Sequence, residues 1–444
     1  MKKHNLYALV AAGLLASGMS VTSASAADLG GNCCADLEER IAELEATTAR
    51  KGNRKVSLTV SGWVGQQISF WDDGFESNTY IHDLGTTLGS HVKFTGSAQI
   101  SPGWSAGYVL QIEAISNDVF LTSQDRPNTS SLYGFLSGDN AAGSGGVEVL
   151  QSYWFVKSDQ LGKLSLGKQS QASDNTAILV DGSGSLVPAN WVAFDVNSFF
   201  LRRGDGGLVT NSAGTSLTWG GAGGGCSTMG GAWGDCNGLT QNVVRYDSPT
   251  FGGFSVSASW GDDDMWDVAA RYAGEFGGFK LAAAAAYNEV NAGNYNQLGA
   301  LDAQYFQAGA FLMHVPTGLF GLVNYGNMEN ETVPGIADND TWYGKVGVRT
   351  RFSSLGHTVF YGEYLNADGG FEYDSDLGGA NDTRVDELEV WGVGIVQEID
   401  AAAMSVWVKY RNLSADTQAT NEEVDGNRSI EDYNYVGVGG LINF

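Results

Sequence analysis

Apolar and polar residues alternate along most of this chain, and the alternation is strictest at the carboxyl end. There, every second position is apolar or glycine: Val436, Val438, Gly440, Ile442 and Phe444. A period of two places successive side chains on opposite faces of a β-strand. A single strand of this kind fits a soluble sheet as well as a barrel whose outer face meets lipid. The other segments of the chain must decide between a soluble sheet and a membrane barrel.

The same alternation recurs from Lys55 onward in segments that are separated by turns. An even number of strands would bring both ends of a barrel domain to one rim. In 147–158, 357–367 and 387–399 the pattern does not assign the outer face. The alternation predicts sixteen strands, at 55–71, 90–100, 105–115, 147–158, 162–172, 241–248, 254–261, 265–276, 279–290, 303–315, 319–329, 340–352, 357–367, 387–399, 402–414 and 431–444.

Tight turns alternate with longer polar loops between these segments. The tight turns include Ser101-Pro102-Gly103, Gly277-Gly278 and Pro316-Thr317-Gly318. Short turns on one rim and long loops on the other are typical of a membrane barrel. The sequence therefore predicts an all-β protein, a transmembrane antiparallel barrel of about sixteen strands.

Charged residues fall on one face wherever the phase of the alternation is clear. In 340–352, Val346 and Val348 alternate with Lys345 and Arg349, and 402–414 repeats this pattern. A lipid-facing Lys or Arg at mid-bilayer costs roughly 2–4 kcal/mol, so a membrane barrel must turn such residues inward. Each of these alternating patterns would also fit the solvent-exposed face of a soluble sheet. A soluble sheet would not explain why the same chain also carries an export signal and an even number of predicted strands.

The amino terminus predicts export. Lys2 and Lys3 precede a mostly apolar stretch, and Ala24-Ser25-Ala26 has the form of a cleavage site, so residues 1–26 are predicted to be a signal peptide. Cleavage removes two of 24 basic residues and none of 50 acidic ones, which takes the net charge from −26 to −28.

Residues 27–53 are predicted to form a short periplasmic helix or linker before the barrel domain at 54–444. Leu37, Ile41 and Leu44 have the spacing of a helix that pairs with copies of itself. Two heptads do not hold together alone. The helix would therefore need a chain that is already trimeric, and a frayed amphipathic linker is the alternative.

Composition excludes several functions. After the signal the chain has no run of 18 apolar residues, although it contains 62 Gly and is 43% hydrophobic. Its acidic balance argues against nucleic-acid binding, which needs clustered Lys and Arg. No motif implies a cofactor. A hydrolase would need a nucleophile near a base, and His82, His91, His314 and His357 lie in no recognisable catalytic motif.

Four cysteines remain to be placed. Cys226 and Cys236 close a Gly-rich loop, and a disulfide is the interpretation we prefer for an exported protein. A metal pair is the alternative, although no His lies nearby. Cys33 and Cys34 are adjacent and could cross-link chains, pair elsewhere or stay reduced.

The connection at 173–241 is too long for a plain turn, and a loop of this length in a compact protein is usually functional. We expect it to fold inward and to form a constriction, with aromatics against the wall and charges facing the channel. The candidate charged residues on it are Asp181, Asp195, Arg202, Arg203 and Asp205. The candidates for a basic wall opposite are Lys93, Arg245, Arg271, Lys345, Arg349, Arg351, Lys409 and Arg411, many of which could lie away from the narrowest point.

Acidic runs fall in the predicted outer loops, for example Asp72-Asp73 and Glu422 to Asp425. Their carboxylates could share divalent cations with surface lipopolysaccharide. Solvated loops are the simpler interpretation.

The chain resembles the outer-membrane porins of alphaproteobacteria, found in rhizobia and their relatives. The resemblance is carried by CCADLEERIAELEATTARKGNRKVSLTVSGW from Cys33 to Trp63, by Phe70-Trp71-Asp72-Asp73-Gly74 and by Val438 to Phe444. It implies a homotrimeric barrel of the bacterial outer membrane that passes small hydrophilic solutes passively, with the third outer loop in the pore. We also expect Phe444 to be the signal read by the outer-membrane assembly machinery.

Two functions follow from these observations. The first is a non-specific porin without enzymatic activity. The second is a channel selective for sugars or anions, in which Trp191, Phe194 and Phe199 would form a sliding track.

Overall fold

The computed structural model of the chain describes residues 55–128, 146–210, 216–222, 240–290, 303–330, 339–368, 383–419 and 430–444. Within these residues seventeen strands form one sheet. They are β1 (Thr59–Asp72), β2 (Ser77–His82), β3 (Ser90–Ser101), β4 (Trp104–Ile115), β5 (Gly146–Ser158), β6 (Gly162–Ser170), β7 (Thr240–Asp247), β8 (Phe254–Gly261), β9 (Trp266–Phe276), β10 (Phe279–Val290), β11 (Ala303–His314), β12 (Leu319–Asn330), β13 (Asn339–Thr350), β14 (Thr358–Asp368), β15 (Thr383–Ile399), β16 (Met404–Ala419) and β17 (Tyr433–Asn443).

Two short helices, α1 (Leu186–Asn190) and α2 (Trp219–Ala222), lie between β6 and β7. In the residues that the structure describes, no helix combines the length and the apolar composition that a membrane span requires.

Sixteen of the strands close into a ring in which every neighbour is antiparallel. The ring closes where β17 returns to β1, with Trp63 opposite Asn443 and Asp72 opposite Asn434. A closed ring leaves no sheet edge with unpaired backbone groups, which is the condition for a sheet to stand in hydrocarbon. The predicted barrel of about sixteen strands is confirmed.

The strand β2 is an addition that the alternation does not predict. It pairs with the upper part of β1, where Gln67 lies opposite His82, whereas β3 pairs with the lower part. The intervening residues 83–89 turn into the barrel, where the Asp83 carboxylate accepts hydrogen bonds from the backbone N–H groups of Ser116 (2.7 Å) and Asn117 (3.1 Å). With only six residues, SNTYIH, β2 is too short and too polar to give a clear period of two.

The predicted short turns all lie on one rim. One of the two-residue turns joins β9 to β10 through Gly277 and Gly278, whose φ angles are +57° and +82°. Two successive positive φ angles define a hairpin turn that matches the twist of the strands, and glycine adopts them without strain.

The outer surface of the ring is an apolar belt between two rows of aromatic rings. In the belt, Val64 and Val346 are 50% and 66% exposed. Trp266 with Tyr287, and Tyr325 with Trp342, form part of the upper row, at centroid distances of 5.4 Å and 4.6 Å. The lower row includes Phe254 and Tyr272, 4.5 Å apart. This arrangement is that of a barrel embedded in lipid, with aromatic girdles at both interfaces.

Three predictions fall outside the residues that the structure describes. They are the signal peptide at 1–26, the helix or linker at 27–53 and the Cys226–Cys236 disulfide. The boundary at residue 54 and the fates of Cys33 and Cys34 stay predictions as well.

Candidate functional site: the connection inside the barrel

The connection after β6 folds into the barrel, and its described parts are residues 171–210 and 216–222. Because β6 is the fifth strand of the ring, the connection lies where the sequence placed it. Besides α1 and α2 it contains two single 3₁₀ turns, Ile178–Val180 and Ala193–Asp195. Polar contacts fasten it to the inner wall at successive points.

The first fastening point follows directly after β6. The Asp267 carboxylate of β9 accepts hydrogen bonds from the backbone N–H (2.7 Å) and the hydroxyl (2.6 Å) of Ser173. Gln307 of β11 donates to the Ser173 carbonyl at 2.9 Å. Arg271 of β9 donates to the Ala172 carbonyl at 2.6 Å. The backbone of the connection is therefore held before its first helical turn begins.

The second fastening point is a buried ion pair. Lys345 of β13 lies 2.5 Å from Asp181, and neither side chain is exposed. The Lys345 ammonium also donates to the Ser185 hydroxyl (3.0 Å) and to the Asn190 side-chain oxygen (2.9 Å). All three donor positions of the ammonium are thus used on the connection.

The third fastening point is Asp195, where two wall cations converge. Its carboxylate lies 2.6 Å from Lys409 and 3.2 Å from Arg411 of β16. Gln67 of β1 (2.6 Å) and the Tyr435 hydroxyl of β17 (2.8 Å) also donate to it. Burial acts to raise the pKa of Asp195, but the positive charges of Lys409 and Arg411 outweigh burial and hold that pKa below its usual range.

Arg411 links this point to β14, two strands away in the ring, and to α1. Its guanidinium donates two hydrogen bonds to Glu363 of β14, at 2.7 Å and 3.1 Å. It also donates to the carbonyls of Pro188 (3.3 Å) and Ala189. A planar fork of donors suits this task, because it satisfies a carboxylate and backbone carbonyls at once.

Aromatic rings fasten the outer end of the connection. Phe199 lies between Trp71 of β1 and Tyr433 of β17, at centroid distances of 5.3 Å and 5.0 Å. Trp219 of α2 contacts the same Tyr433 at 6.2 Å. An apolar cluster thus fills part of the interior, as expected for aromatics that pack on the wall.

The expected orientation of the loop charges is wrong for Asp181 and Asp195. Asp181 is 1% exposed and Asp195 is 7% exposed, so their carboxylates face the wall instead of the channel. The reason is that Lys345, Lys409 and Arg411 could not be buried in the wall without carboxylate partners. The connection supplies the partners.

The other predicted charges of the connection lie nearer its outer end. Arg202 pairs with Asp73 at 2.8 Å and also with Glu76, so it clamps the connection to the segment after β1. Arg203 and Asp205 lie 3.3 Å apart, and their side chains are about half exposed. Asp73 itself is buried, and among the described residues no three His, Cys, Asp or Glu side chains are grouped as a metal site would require.

The other predicted wall cations are divided between the interior and the rim. Lys93 faces inward and is 6% exposed. Arg245 pairs with Asp247 at 2.7 Å, and Arg351 pairs with Asp400 at 2.5 Å beyond the end of β13, on the rim of short turns.

Arg349 and its partner Glu398 lie against the connection. Their side chains are 2.8 Å apart. Gly184 packs over the pair with a φ of +86°, and a Cβ on Gly184 would stand 2.5 Å from the Glu398 carboxylate. Only glycine fits this close approach.

The accessible polar wall on the β5–β7 side includes residues that the sequence did not single out. Lys157 is exposed, and Lys163 pairs with Asp247 at 3.1 Å while their side chains stay 30% and 24% exposed. Lys157 and Glu363 lie in the two segments 147–158 and 357–367, whose faces the pattern left unassigned. In 357–367, His357 and Glu363 share one phase, which would have indicated the inner face. In 147–158, Glu148 and Lys157 fall in opposite phases, because a β-bulge shifts the register of β5 against β4.

Asp174 should make the ion selectivity of the channel depend on pH. Burial raises the pKa of this carboxyl to about 7, and Arg245 and Arg271 are among the charges that act on it. Raising the pH from about 6 to about 8 should therefore add a negative charge to the inner wall and favour cations. Reversal potentials in a KCl gradient measure the shift, and Asp174→Asn should abolish it. An unchanged pH dependence in that variant would contradict the assignment.

The closed ring, the lipid-facing belt and the connection fastened inside the barrel agree with one sequence comparison. A sequence model of the Gram-negative porin family matches residues 8–434. The chain belongs to the Gram-negative porin family. As a porin with a sixteen-strand barrel, it is a channel protein of the outer membrane that passes small hydrophilic solutes and ions. A comparison with curated proteins gave no match.

Solved structures share the fold of this porin at low sequence identity. An anion-selective porin from Comamonas acidovorans is 15% identical, with a TM-score of 0.52 over 88% of this chain and 100% of that one. OprB of Pseudomonas putida is 10% identical, with a TM-score of 0.51 over 92% and 97%. The trimer form of OmpT from Vibrio cholerae is 15% identical, with a TM-score of 0.50 over 88% and 99%.

Proposed function

We propose that this porin is a general diffusion channel whose passage is narrowed by the described residues of the inward connection, 171–210 and 216–222. The observation that carries the proposal is the set of buried contacts at Ser173, Asp181 and Asp195, which fix the connection inside the ring. The passage then runs beside the accessible polar wall of β5–β7. In this arrangement charged residues tune ion preference, and the width of the gap limits solute size.

Conductance and solute uptake test this function together. We expect the purified porin to form ohmic channels in planar bilayers, and we expect liposomes that contain it to swell at rates that fall smoothly with sugar size. Swelling that saturates with one sugar would contradict a general channel and would support the selective alternative.

The selective alternative is not favoured because its proposed track is covered. Trp191, Phe194 and Phe199 are 4%, 5% and 2% exposed, so these rings pack within the protein and cannot guide a passing solute.

A homotrimer is the assembly that we propose, as in the trimer form of the OmpT structure. We retain lipid and lipopolysaccharide as surroundings, with divalent cations at acidic loops, and we assign the porin to the alphaproteobacterial branch. Phe444 exchanges backbone hydrogen bonds with Gly62 (3.0 Å and 3.1 Å), and its ring is exposed, which suits the proposed signal for the assembly machinery.

Transport without catalysis is the other part of the proposal. Ser69 and His82 form a hydrogen bond of 2.7 Å, which is the geometry of a nucleophile with its base. Both residues are buried, 7% and 2% exposed, so a substrate would not reach them. Purified porin should therefore leave ester and peptide substrates intact, and hydrolysis that is lost in Ser69→Ala would overturn this.

A further inference from the structure

A second stretch of chain enters the barrel beside the connection. Residues 83–89 lead from β2 to β3, and five of these seven residues are buried. Thr86 and Thr87, at the tip of the stretch, are half-buried. Inside a closed ring, a side chain that neither the wall nor another inward segment covers faces the water of the lumen. Thr86 and Thr87 are the residues of this stretch that do so.

Two carboxylates hold the tip in place. Glu113 of β4 accepts hydrogen bonds from the backbone N–H groups of Thr87 (3.0 Å) and Gly89 (2.7 Å). Asp118, which follows β4, accepts from the N–H (3.2 Å) and the hydroxyl (2.6 Å) of Thr86. Glu113 is only 1% exposed, and a buried carboxylate is unfavourable unless donors surround it. The backbone of the tip supplies the donors that Glu113 needs.

The backbone at Thr87 is strained, and its neighbours fix it. Its φ angle is +75°, in the left-handed region that a β-branched residue rarely adopts. Such a conformation persists only where the surrounding contacts impose it. Glu113 fixes the N–H of Thr87, and the Trp63 indole of β1 donates to the carbonyl of Leu88 at 3.2 Å. The tip is therefore attached to the wall on both sides of the strained residue.

The stretch also packs against the connection. Leu84 and Leu88 line a cavity of about 20 Å³ together with Phe194 and Asp195 of the connection. Phe120, two residues after Asp118, contacts Phe194 at a centroid distance of 5.4 Å. The two inward segments thus form one body inside the ring.

Both segments are attached to the wall at the same depth. The rows of paired residues climb around the ring, because one of them starts low on β1 and ends at the top of β8: Thr59, Thr95, Val109, Tyr153, Gly167, Val243 and Gly261. The row Trp63, His91 and Glu113 climbs about 7 Å, over two strand spacings of about 4.8 Å at a tilt of about 45°. Gln67, which donates to Asp195, lies four residues above Trp63, or about 9 Å at about 3.3 Å per residue and the same tilt.

We propose that residues 83–89 are a second narrowing element of this porin, which limits solute size together with the connection, and that Glu113 is the positioning residue that holds the tip in the lumen. Thr86 and Thr87 are uncharged, so this side of the passage acts on the size of a solute, whereas the charged wall of β5–β7 acts on its charge. The inference rests on the general diffusion channel proposed above and adds an element of specificity to it.

Replacing Glu113 by alanine tests the positioning role. Because Thr87 and Gly89 lose their acceptor, the single-channel conductance of the full-length porin should rise, and liposomes that contain it should take up larger sugars. Glu113→Gln keeps one side-chain oxygen as acceptor, so it should fall between the parent and Glu113→Ala. Gln111→Ala is the matched control, since Gln111 is buried on the same face of β4 and makes no hydrogen bond with residues 83–89. A folded Glu113→Ala porin with the conductance and the size limit of the parent would overturn the proposal.

Thiol labelling tests the border of the passage without releasing the tip. In Thr87→Cys porin in a planar bilayer, the reagent methanethiosulfonate ethylsulfonate should lower the conductance, because the added group occupies the passage. The parent treated in the same way gives the contribution of its own cysteines, and Leu88→Cys, at a position that is 3% exposed, should match that parent. A conductance that does not change at position 87 would mean that this stretch does not border the passage.

The two proposals fail in different ways. If both tests on residues 83–89 fail while liposome swelling still falls smoothly with sugar size, the second narrowing element is wrong and the general channel stands. Swelling that saturates with one sugar overturns the general channel whatever the variants show.

Discussion

Replacing Asp195 by leucine should release the middle of the inward connection and raise the conductance of the channel. The change leaves Lys409 without its carboxylate in a buried site and removes one of the two carboxylates that face Arg411. Removing one partner of a buried ion pair typically costs about 3–5 kcal/mol, because the other charge stays buried and uncompensated. We expect a loss of stability of this size or movement of the connection until the cations regain water.

Single-channel recordings and thermal unfolding measure this prediction. Asp205→Leu is the matched control, since Asp205 lies on the same connection but is exposed beside Arg203. The control should keep the conductance and the melting temperature of the parent. If Asp195→Leu also keeps both, then the buried carboxylate does not hold the connection in place.

Lowering the pH should break the contact of Asp195 with Lys409 and Arg411 only within a defined pH range. Because the pKa of Asp195 is held below its ordinary value of 3.8, mainly by Lys409 and Arg411 against the effect of burial, its charged form stabilises the docked connection at every pH above that value. The stabilisation should be lost only as the pH falls through the lowered pKa. In the Asp174→Asn variant, which lacks the titration near pH 7, a conductance that stays constant down to about pH 4 and then rises would agree with this, and a rise already at about pH 6 would not.

Replacing Lys345 by methionine should have an effect of comparable size at the second fastening point. The side chains of Lys345 and Asp181 are fully buried, so the variant leaves a carboxylate in the interior without a cation. The expected loss is again about 3–5 kcal/mol. Unfolding in denaturant, followed by intrinsic fluorescence, measures it.

The double variant Lys345→Met with Asp181→Leu separates charge from packing. Replacing both members of a buried pair by apolar residues is often neutral, so the double variant should recover most of the stability that the single variant loses. Lys157→Met is the control, because Lys157 is an exposed cation of the inner wall and should tolerate the change. A double variant as unstable as the single one would show that the pair contributes through its shape.

The strands of this porin could be predicted because lipid and water impose a simple rule on each residue. Val346 and Val348 had to face outward and Lys345 inward, and the structure confirms that sorting. The position of the long connection followed in the same way, from counting strands. The strand β2 was not predicted because its six residues, SNTYIH, are too few to give a clear period, and its place depends on pairing with β1.

For the connection inside the barrel, the sequence predicted the types of residue involved but not their contacts. The sequence indicated Asp181 and Asp195 among the loop charges, and Lys345, Lys409 and Arg411 among eight candidates for a basic wall opposite. It did not indicate which of them meet or that they are buried, because burial depends on how deeply the connection enters the ring. Glu363, the second partner of Arg411, was missed since the phase of its strand was ambiguous.

By itself, the sequence determined that this chain forms a membrane barrel and, in the strands whose phase is clear, which residues face water, because alternation is a local property that a strand carries within ten or so positions. Only the tertiary structure decided which charges pair and which aromatics are covered. The contacts of Asp181 with Lys345 and of Asp195 with Lys409 join residues more than a hundred positions apart, and they exist only when the ring has closed around the connection.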